Sequence, residues 1–176
     1  MIEKILTSNT LYEGQILNLS LSSVLLPNLR IANREIIQHS NSVVVIAFDK
    51  DEQLILVKQY RISIGKLLFE FPAGAIENGE NPSTAALREL REETGYEAKS
   101  LKLLGEFYLA PGFCTELMYV FLAENLILKK QQLDEDEFVD VVRFKLEKFD
   151  SYVKKGKIID AKSIAARWMI FSNNIT

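Results

Sequence analysis

The chain has 176 residues, 48% of them hydrophobic, with 8 glycines, 4 prolines and a formal charge of −3. That balance excludes a disordered or fibrous polymer, leaves room for one well-buried core, and offers no basic footprint for nucleic acid or an anionic membrane. A single cysteine, Cys114, excludes an internal disulfide framework and reads as a small half-buried thiol, and no Cys and His stand at zinc-site spacing. The opening MIEKILTSNT has no apolar leader, and the longest apolar runs, such as VVVIAF at 43–48, are too short to span a bilayer. A cytoplasmic protein without membrane or nucleic-acid partners is expected.

Residues 14–26, GQILNLSLSSVLL, alternate through Ile16 or Leu17, Leu19, Leu21, Val24 and Leu26 before Pro27 and Asn28 break the pattern, which reads as a strand and a turn. Arg34 to Gln38 reads as a return strand, making the first forty residues an antiparallel ribbon. SVVVIAFD at 42–49 and QLILVKQYR at 53–61 are apolar β-runs joined by DKDE, a hairpin signal, and both are expected to be covered on two faces. A helix follows FEFPAGAIENGENP, with Asn81 as its N-cap, Pro82 at its first position, Ala85, Ala86, Leu87 and Leu90 on its apolar face and Gly95 to stop it. Two more strands lie at 101–110 and 116–126 around the PGFC turn, and the acidic loop LDEDEF at 133–138 leads into the strand VDVVRF. Leu146, Phe149 and Val153 then repeat at helical spacing, and Asp160 caps a last helix whose Ile164, Trp168 and Phe171 share one face, so that Trp168 reads as core rather than as a ligand platform. Strands interleaved with two or three helices mean an α/β or α+β sandwich.

The chemistry concentrates in one helix. Glu89, Glu92 and Glu93 lie at i, i+3 and i+4, hence on one face. Three carboxylates crowded there repel one another unless a hard divalent cation with oxygen ligands stands among them, and Mg²⁺ or Mn²⁺ suits such a set better than zinc. Arg88 is spaced to reach Glu92 at i+4 and fix one carboxylate. A solvated helix face carrying ion pairs is the plain alternative for the glutamates alone.

The surrounding stretch, GAIENGENPSTAALRELREETGY, has Gly74, Glu80 after five residues, Arg88-Glu89 after seven more, then Leu90, Glu92, Glu93, Gly95 and Tyr96. It resembles the Nudix box, G-x5-E-x7-R-E-U-x-E-E-x-G-U, at every charged and glycine position, and Tyr96 departs only from the aliphatic preference at the last place. A chance match in a chain of this length is on the order of one in a million. The resemblance implies a Nudix-type α/β/α sandwich with a mixed central sheet and an N-terminal antiparallel strand ribbon. The resemblance runs from about residue 14 to residue 171, and a single domain is expected over 1–176, with the ribbon at 1–40 and the catalytic core at 41–176. It also implies cleavage of a pyrophosphate bond with two or three Mg²⁺ ions, Mn²⁺ being a possible substitute. Glu89 and Glu93 would be the main metal ligands, Glu92 a further ligand and catalytic carboxylate, the Ala73 carbonyl another ligand, and Glu80 a helper in the cluster. Arg88 would orient the glutamates.

Sixteen positions after Gly95 stands Pro111, in YLAPGFCTE. That spacing, with VKQYR and LLFEFPAG ahead of the helix, is similar to the ADP-ribose pyrophosphatase subfamily. The likeness implies a nucleotide-sugar substrate met by Arg61, Glu70, Pro111, Gly112 and Glu116. It further implies Glu135 as general base and Glu137 as an added metal ligand, an order held open between the two, and a homodimer formed through the N-terminal strands. His39, in HSNS, is given no catalytic role. The expected reaction is hydrolysis of ADP-ribose to AMP and ribose 5-phosphate. The rivals are another sugar nucleotide such as GDP-mannose and a non-catalytic ADP-ribose sensor.

Overall fold

A computed structural model describes residues 1–133, 135, 137–173 and 175. It contains ten strands and three helices among these residues: β1 Lys4–Glu13, β2 Leu17–Leu25, β3 Ile31–His39, β4 Ser42–Ala47, β5 Leu54–Arg61, β6 Lys66–Glu70, β7 Ala73–Ala75, α1 Pro82–Thr94, β8 Tyr96–Tyr108, β9 Leu117–Leu128, β10 Val139–Phe144, α2 Leu146–Lys154 and α3 Ala161–Ser172. They form two compact units, one of residues 1–41 and 108–117, the other of residues 42–107 and 118–176.

In the first unit β1, β2 and β3 make an antiparallel sheet in that order. The strand β1 escapes the sequence pattern because its register slips between Ile5 and Thr7 and again between Thr10 and Tyr12, and each slip swaps which side chains share a face. All ten of its residues are exposed. The alternation in β2 is real but its buried face carries Ser20 and Ser22 together with Val24, while Leu17, Leu19 and Leu21 are only half-buried. Small hydroxyls fit there because each finds a partner, Ser22 Oγ donating to Ser8 Oγ at 2.9 Å and Ser20 Oγ to Ile36 O at 3.3 Å.

The second unit carries a four-stranded sheet in the order β7-β4-β9-β8 and a three-stranded sheet β10-β5-β6. In the first of these β4 runs parallel to β9 and antiparallel to β7, so the sheet is mixed. The expected β4–β5 hairpin does not form; a single Phe48–Leu54 bridge closes the turn, and the two strands enter different sheets. All six residues of β4 and the first four of β5 are buried, so each strand satisfies its backbone with partners on both sides instead of pairing with the other.

Successive residues of β4 point to opposite layers. Val44 and Ile46 join Leu56, Phe71, Phe149 and Ile170 in a core with α2 and α3, whereas Val43 and Val45 join Ala85, Ala86 and Leu90 of α1. Helices on both faces of a mixed sheet make an α/β/α sandwich. Trp168 is not core: it is 66% exposed beside Phe171 and Ile164, and α3 turns Ser163, Ala166 and Ile170 inward instead. No helix among the described residues is long and apolar enough to cross a membrane.

The helix α1 begins as its sequence dictates. Asn81 Oδ1 accepts from Thr84 N at 2.9 Å, Pro82 occupies the first turn, and Gly95 ends the helix at φ 76°. Asn81→Ala is expected to lower stability by about 1 kcal/mol, measurable as a shift in the urea midpoint at unchanged slope; no shift would mean that packing alone sets the start of the helix. Leu87, read from the sequence as apolar-face, is 39% exposed, and the buried positions pass to Glu89, Glu93 and Thr94. The helix turns carboxylates inward, and that places the site.

Candidate active site

Three elements meet at α1. The strand β7 brings Ala73 and Gly74, the loop after it brings Glu80, and α1 brings Arg88, Glu89, Glu92 and Glu93. The Arg88 guanidinium is the hub: it donates to Glu80 Oε1 (3.1 Å) and Oε2 (2.9 Å), Glu89 Oε1 (2.7 Å), Glu92 Oε2 (3.1 Å) and the Ala75 carbonyl (2.9 Å). Glu93 is turned the other way and accepts from Ala73 N at 3.1 Å. The bond from Arg88 to Glu92 follows the i+4 spacing read from the sequence, whereas the one to the Ala75 carbonyl was not foreseen there.

Glu93 is 3% exposed and Glu89 is 9% exposed. Burial first, then the charges of Glu89 and Glu137, push the Glu93 carboxyl up to about 8. Burial likewise pushes Glu89 up to about 7, against the pull of Arg88. Glu80 sits below its usual range because Arg88 donates to it.

Gly74 is the floor of the site. A Cβ there would fall 2.0 Å from Glu89 Oε1, so only glycine leaves room for that carboxylate. Because the obstructed atom is the end of a flexible side chain, Gly74→Ala is expected to fold normally while displacing Glu89. A displacement near 1 Å costs roughly 10²-fold in turnover. A variant with wild-type kcat and an unshifted melting temperature would show that Glu89 has no fixed position to keep.

The donor set fits a hard divalent cation: it is all oxygen, and the two most buried carboxyls need a positive neighbour to stay ionised at neutral pH. Among the described residues no three acidic side chains converge as a closed metal cage; Arg88 supplies the charge that gathers Glu80, Glu89 and Glu92.

The end of α1 is clamped by the chain beyond β9. Lys129 N donates to Gly95 O (2.7 Å), Gln132 N to Glu92 O (3.1 Å), and Gln131 Nε2 to Glu93 O (2.6 Å) and Val139 O (3.4 Å). Gly95 is therefore required twice, for its positive φ and because a Cβ would meet Gln131 N at 2.9 Å. Just past this clamp lie Glu135, exposed, and Glu137, half-buried with its charge felt at Glu89 and Glu93; Asp134 and Asp136 of the acidic loop lie outside the described residues. Tyr96, the unusual last residue of the box, is a packing residue, 8% exposed, whose hydroxyl accepts from Arg143 at 3.0 Å.

Arg61 and Glu70 form a bidentate pair at 2.9 and 2.6 Å, and Lys162 of α3 shares the same carboxylate. Lys162 was not legible as part of any motif. Pro111, Gly112 and Glu116 belong to the first unit. There Ile37 N donates to Phe113 O (2.7 Å), Thr115 N donates to Ile37 O (3.0 Å), and Glu116 lies 3.7 Å from His39 Nδ1.

An α/β/α sandwich that sets a glutamate-lined loop-helix-loop against its mixed sheet is the build of a Nudix hydrolase. The chain belongs to the NUDIX domain family, whose model matches residues 38–167. It is 42% identical over 166 residues to an ADP-ribose pyrophosphatase of Bacillus subtilis (strain 168), covering 93% of this chain and 90% of that one. It is 39% identical, with the same coverage, to a methanol dehydrogenase activator of Bacillus methanolicus. The crystal structure of an ADP compounds hydrolase shares the fold at TM-score 0.86 and 23% identity, over 100% of this chain and 98% of that one.

Proposed function

We propose that the protein hydrolyses the pyrophosphate bond of ADP-ribose, giving AMP and ribose 5-phosphate, with Mg²⁺ as the metal and Mn²⁺ as a substitute. The observation that carries this reading is the pair of buried carboxylates, Glu89 seated over the glycine floor of the box and Glu93 held by the Ala73 N–H, in a chain whose likeness to an ADP-ribose pyrophosphatase runs almost end to end. Glu89, Glu93, Glu92 and the Ala73 carbonyl would hold the metal, with Glu80 and Glu137 beside them. Bound there, the metal neutralises the diphosphate and the charge that develops on the leaving phosphate. Arg88 keeps Glu89 and Glu92 in position, Glu135 takes the proton of the attacking water, and Arg61 offers its guanidinium to a phosphate or the terminal ribose. Pro111, Gly112 and Glu116 would bind substrate, as the likeness to the ADP-ribose pyrophosphatase relative implies.

The protein works in the cytoplasm as a homodimer joined through its N-terminal strands. Supporting this, β1 stands at the edge of its sheet with all ten residues exposed, Ile5, Leu6, Leu11 and Tyr12 among them. An apolar open edge of that length calls for a partner. A sedimentation mass of one chain would remove the dimer.

The function is tested by a panel of ADP-ribose, ADP-glucose, GDP-mannose, 8-oxo-dGTP and NADH with excess Mg²⁺. ADP-ribose is expected to lead in kcat/KM. GDP-mannose in front would replace the substrate, and binding of ADP-ribose without turnover of anything would make the protein a sensor. A second reading follows from the B. methanolicus relative: the chain stimulates a dehydrogenase, which a methanol dehydrogenase assay with and without the protein decides.

A further inference from the structure

Lys162 lies outside the Nudix box, yet it is tied to the machinery by a closed set of bonds. Glu70 ends β6 and is 1% exposed. Its Oε1 accepts from Arg61 Nε at 2.9 Å, and its Oε2 accepts from Arg61 Nη2 at 2.6 Å and from Lys162 Nζ as well. Lys162 also reaches Asp160 Oδ1 at 3.0 Å, while Asp160 Oδ2 accepts from Ser163 N (3.0 Å) and Ser163 Oγ (2.6 Å) in the cap of α3. Ser163 Oγ in turn accepts from Phe71 N at 2.8 Å, next to Glu70 in the chain.

The three charges are not equally free. Lys162 is 13% exposed and Glu70 1%, but the Arg61 side chain is 37% exposed and its Nη1 makes no hydrogen bond with another described residue. A guanidinium that alone neutralised a buried carboxylate would be held there, since leaving would strand the charge. With Lys162 on the same carboxylate and the Asp160 charge absorbed by the helix cap, Glu70 stays compensated when Arg61 turns part of its donor fork elsewhere. Arg61 and Glu93 also feel each other's charge, so the two side chains lie within electrostatic reach of one another.

We propose that Lys162 is a positioning residue for the reaction: by sharing Glu70 it frees one edge of the Arg61 guanidinium to take a phosphate oxygen of the nucleoside diphosphate. Lys162 does not touch the substrate; its effect passes entirely through Arg61. This inference rests on the hydrolase reading and names a residue which that reading does not contain.

The test is a double-mutant cycle of Lys162→Met and Arg61→Ala, with Lys162→Arg as the rescue. Two quantities are read: kcat and KM for ADP-ribose with Mg²⁺, and the calorimetric Kd for ADP-ribose in EDTA. Lys162→Met is expected to raise KM and Kd roughly tenfold with kcat within about threefold, Lys162→Arg to restore most of the loss, and Lys162→Met to add nothing in the Arg61→Ala background. Losses that multiply in the double variant, or a Lys162→Met protein with wild-type KM and Kd, overturn the proposal. Should Lys162→Met fail to fold, the rescue variant still decides, because a KM far above wild type with a retained positive charge also overturns it. Wild-type protein that binds but does not hydrolyse ADP-ribose fails the hydrolase reading alone, and the Kd cycle then judges Lys162 by the same criterion.

Discussion

Replacing Glu93 with glutamine is expected to lower kcat by about 10²- to 10³-fold, the cost of removing one fixed charge from the reacting centre, while leaving the metal-free fold intact. Glutamine matches the neutral acid in shape, and burial favours the neutral form of Glu93 up to about pH 8. The sign follows from linkage. Glu89 and Glu93 have folded-state values raised above the ordinary 4.5, to about 7 and about 8. Their contribution to stability is complete below the unfolded value and is lost as pH rises through the folded ones. Metal-free wild type should therefore lose stability between about pH 4.5 and pH 8, and added Mg²⁺ should reverse that loss. Glu93→Gln should show a flatter profile and little response to Mg²⁺. Melting temperatures at pH 5, 7 and 9, in EDTA and in Mg²⁺, check this; a variant that Mg²⁺ stabilises as strongly as wild type would remove Glu93 from the metal site.

Arg88→Ala is expected to cost the fold more than any other change in the box. The guanidinium alone joins Glu80, Glu89, Glu92 and the Ala75 carbonyl, and its loss leaves three carboxylates facing one another. Stripping one partner from a fully buried charge set costs about 3–5 kcal/mol. Arg88 is 24% exposed and Glu92 34%, so solvent screening reduces the figure to about 2–3 kcal/mol. At about 2–4 °C per kcal/mol for a chain of this size, the melting temperature in EDTA should fall by roughly 5–10 °C. Mg²⁺ should restore part of the loss, and Arg88→Lys less than half of it, since an ammonium cannot span three carboxylates and a carbonyl as a planar fork does. A variant as stable as wild type in EDTA would mean that the carboxylates relax into solvent without cost.

The spacing of charged residues made the box legible, because the chemistry fixes residue types at fixed intervals along one helix. What lay outside that grammar was harder to read. The strand β1 was hidden by two register slips, which erase the period-two signal. β6 and β7, five and three residues long, are too short to show a period at all. Leu87 and Trp168 were assigned inward by hydrophobicity, yet both are exposed. In α1 the inward positions serve carboxylates, and in α3 small side chains at Ser163 and Ala166 allow close packing. Glu70 and Arg61 stood in the sequence as substrate-side residues, but Lys162, about a hundred positions further on, meets them only through the fold.

The clamp at the end of α1 sets a leash on Glu135, the proposed base. Gln131 and Gln132 are fastened to the carbonyls of Glu93 and Glu92, and Gln131 also holds Val139. Glu135 lies three residues past one fastening and four before the other, and a chain extends at most about 3.5 Å per residue. By chain length alone, Glu135 stays within roughly 10 Å of a point fixed on its own helix. On the proposed assignment the base comes from the same chain as the glutamates it serves, and in the proposed homodimer a pair of one intact and one Glu93→Gln chain is expected to retain one working centre.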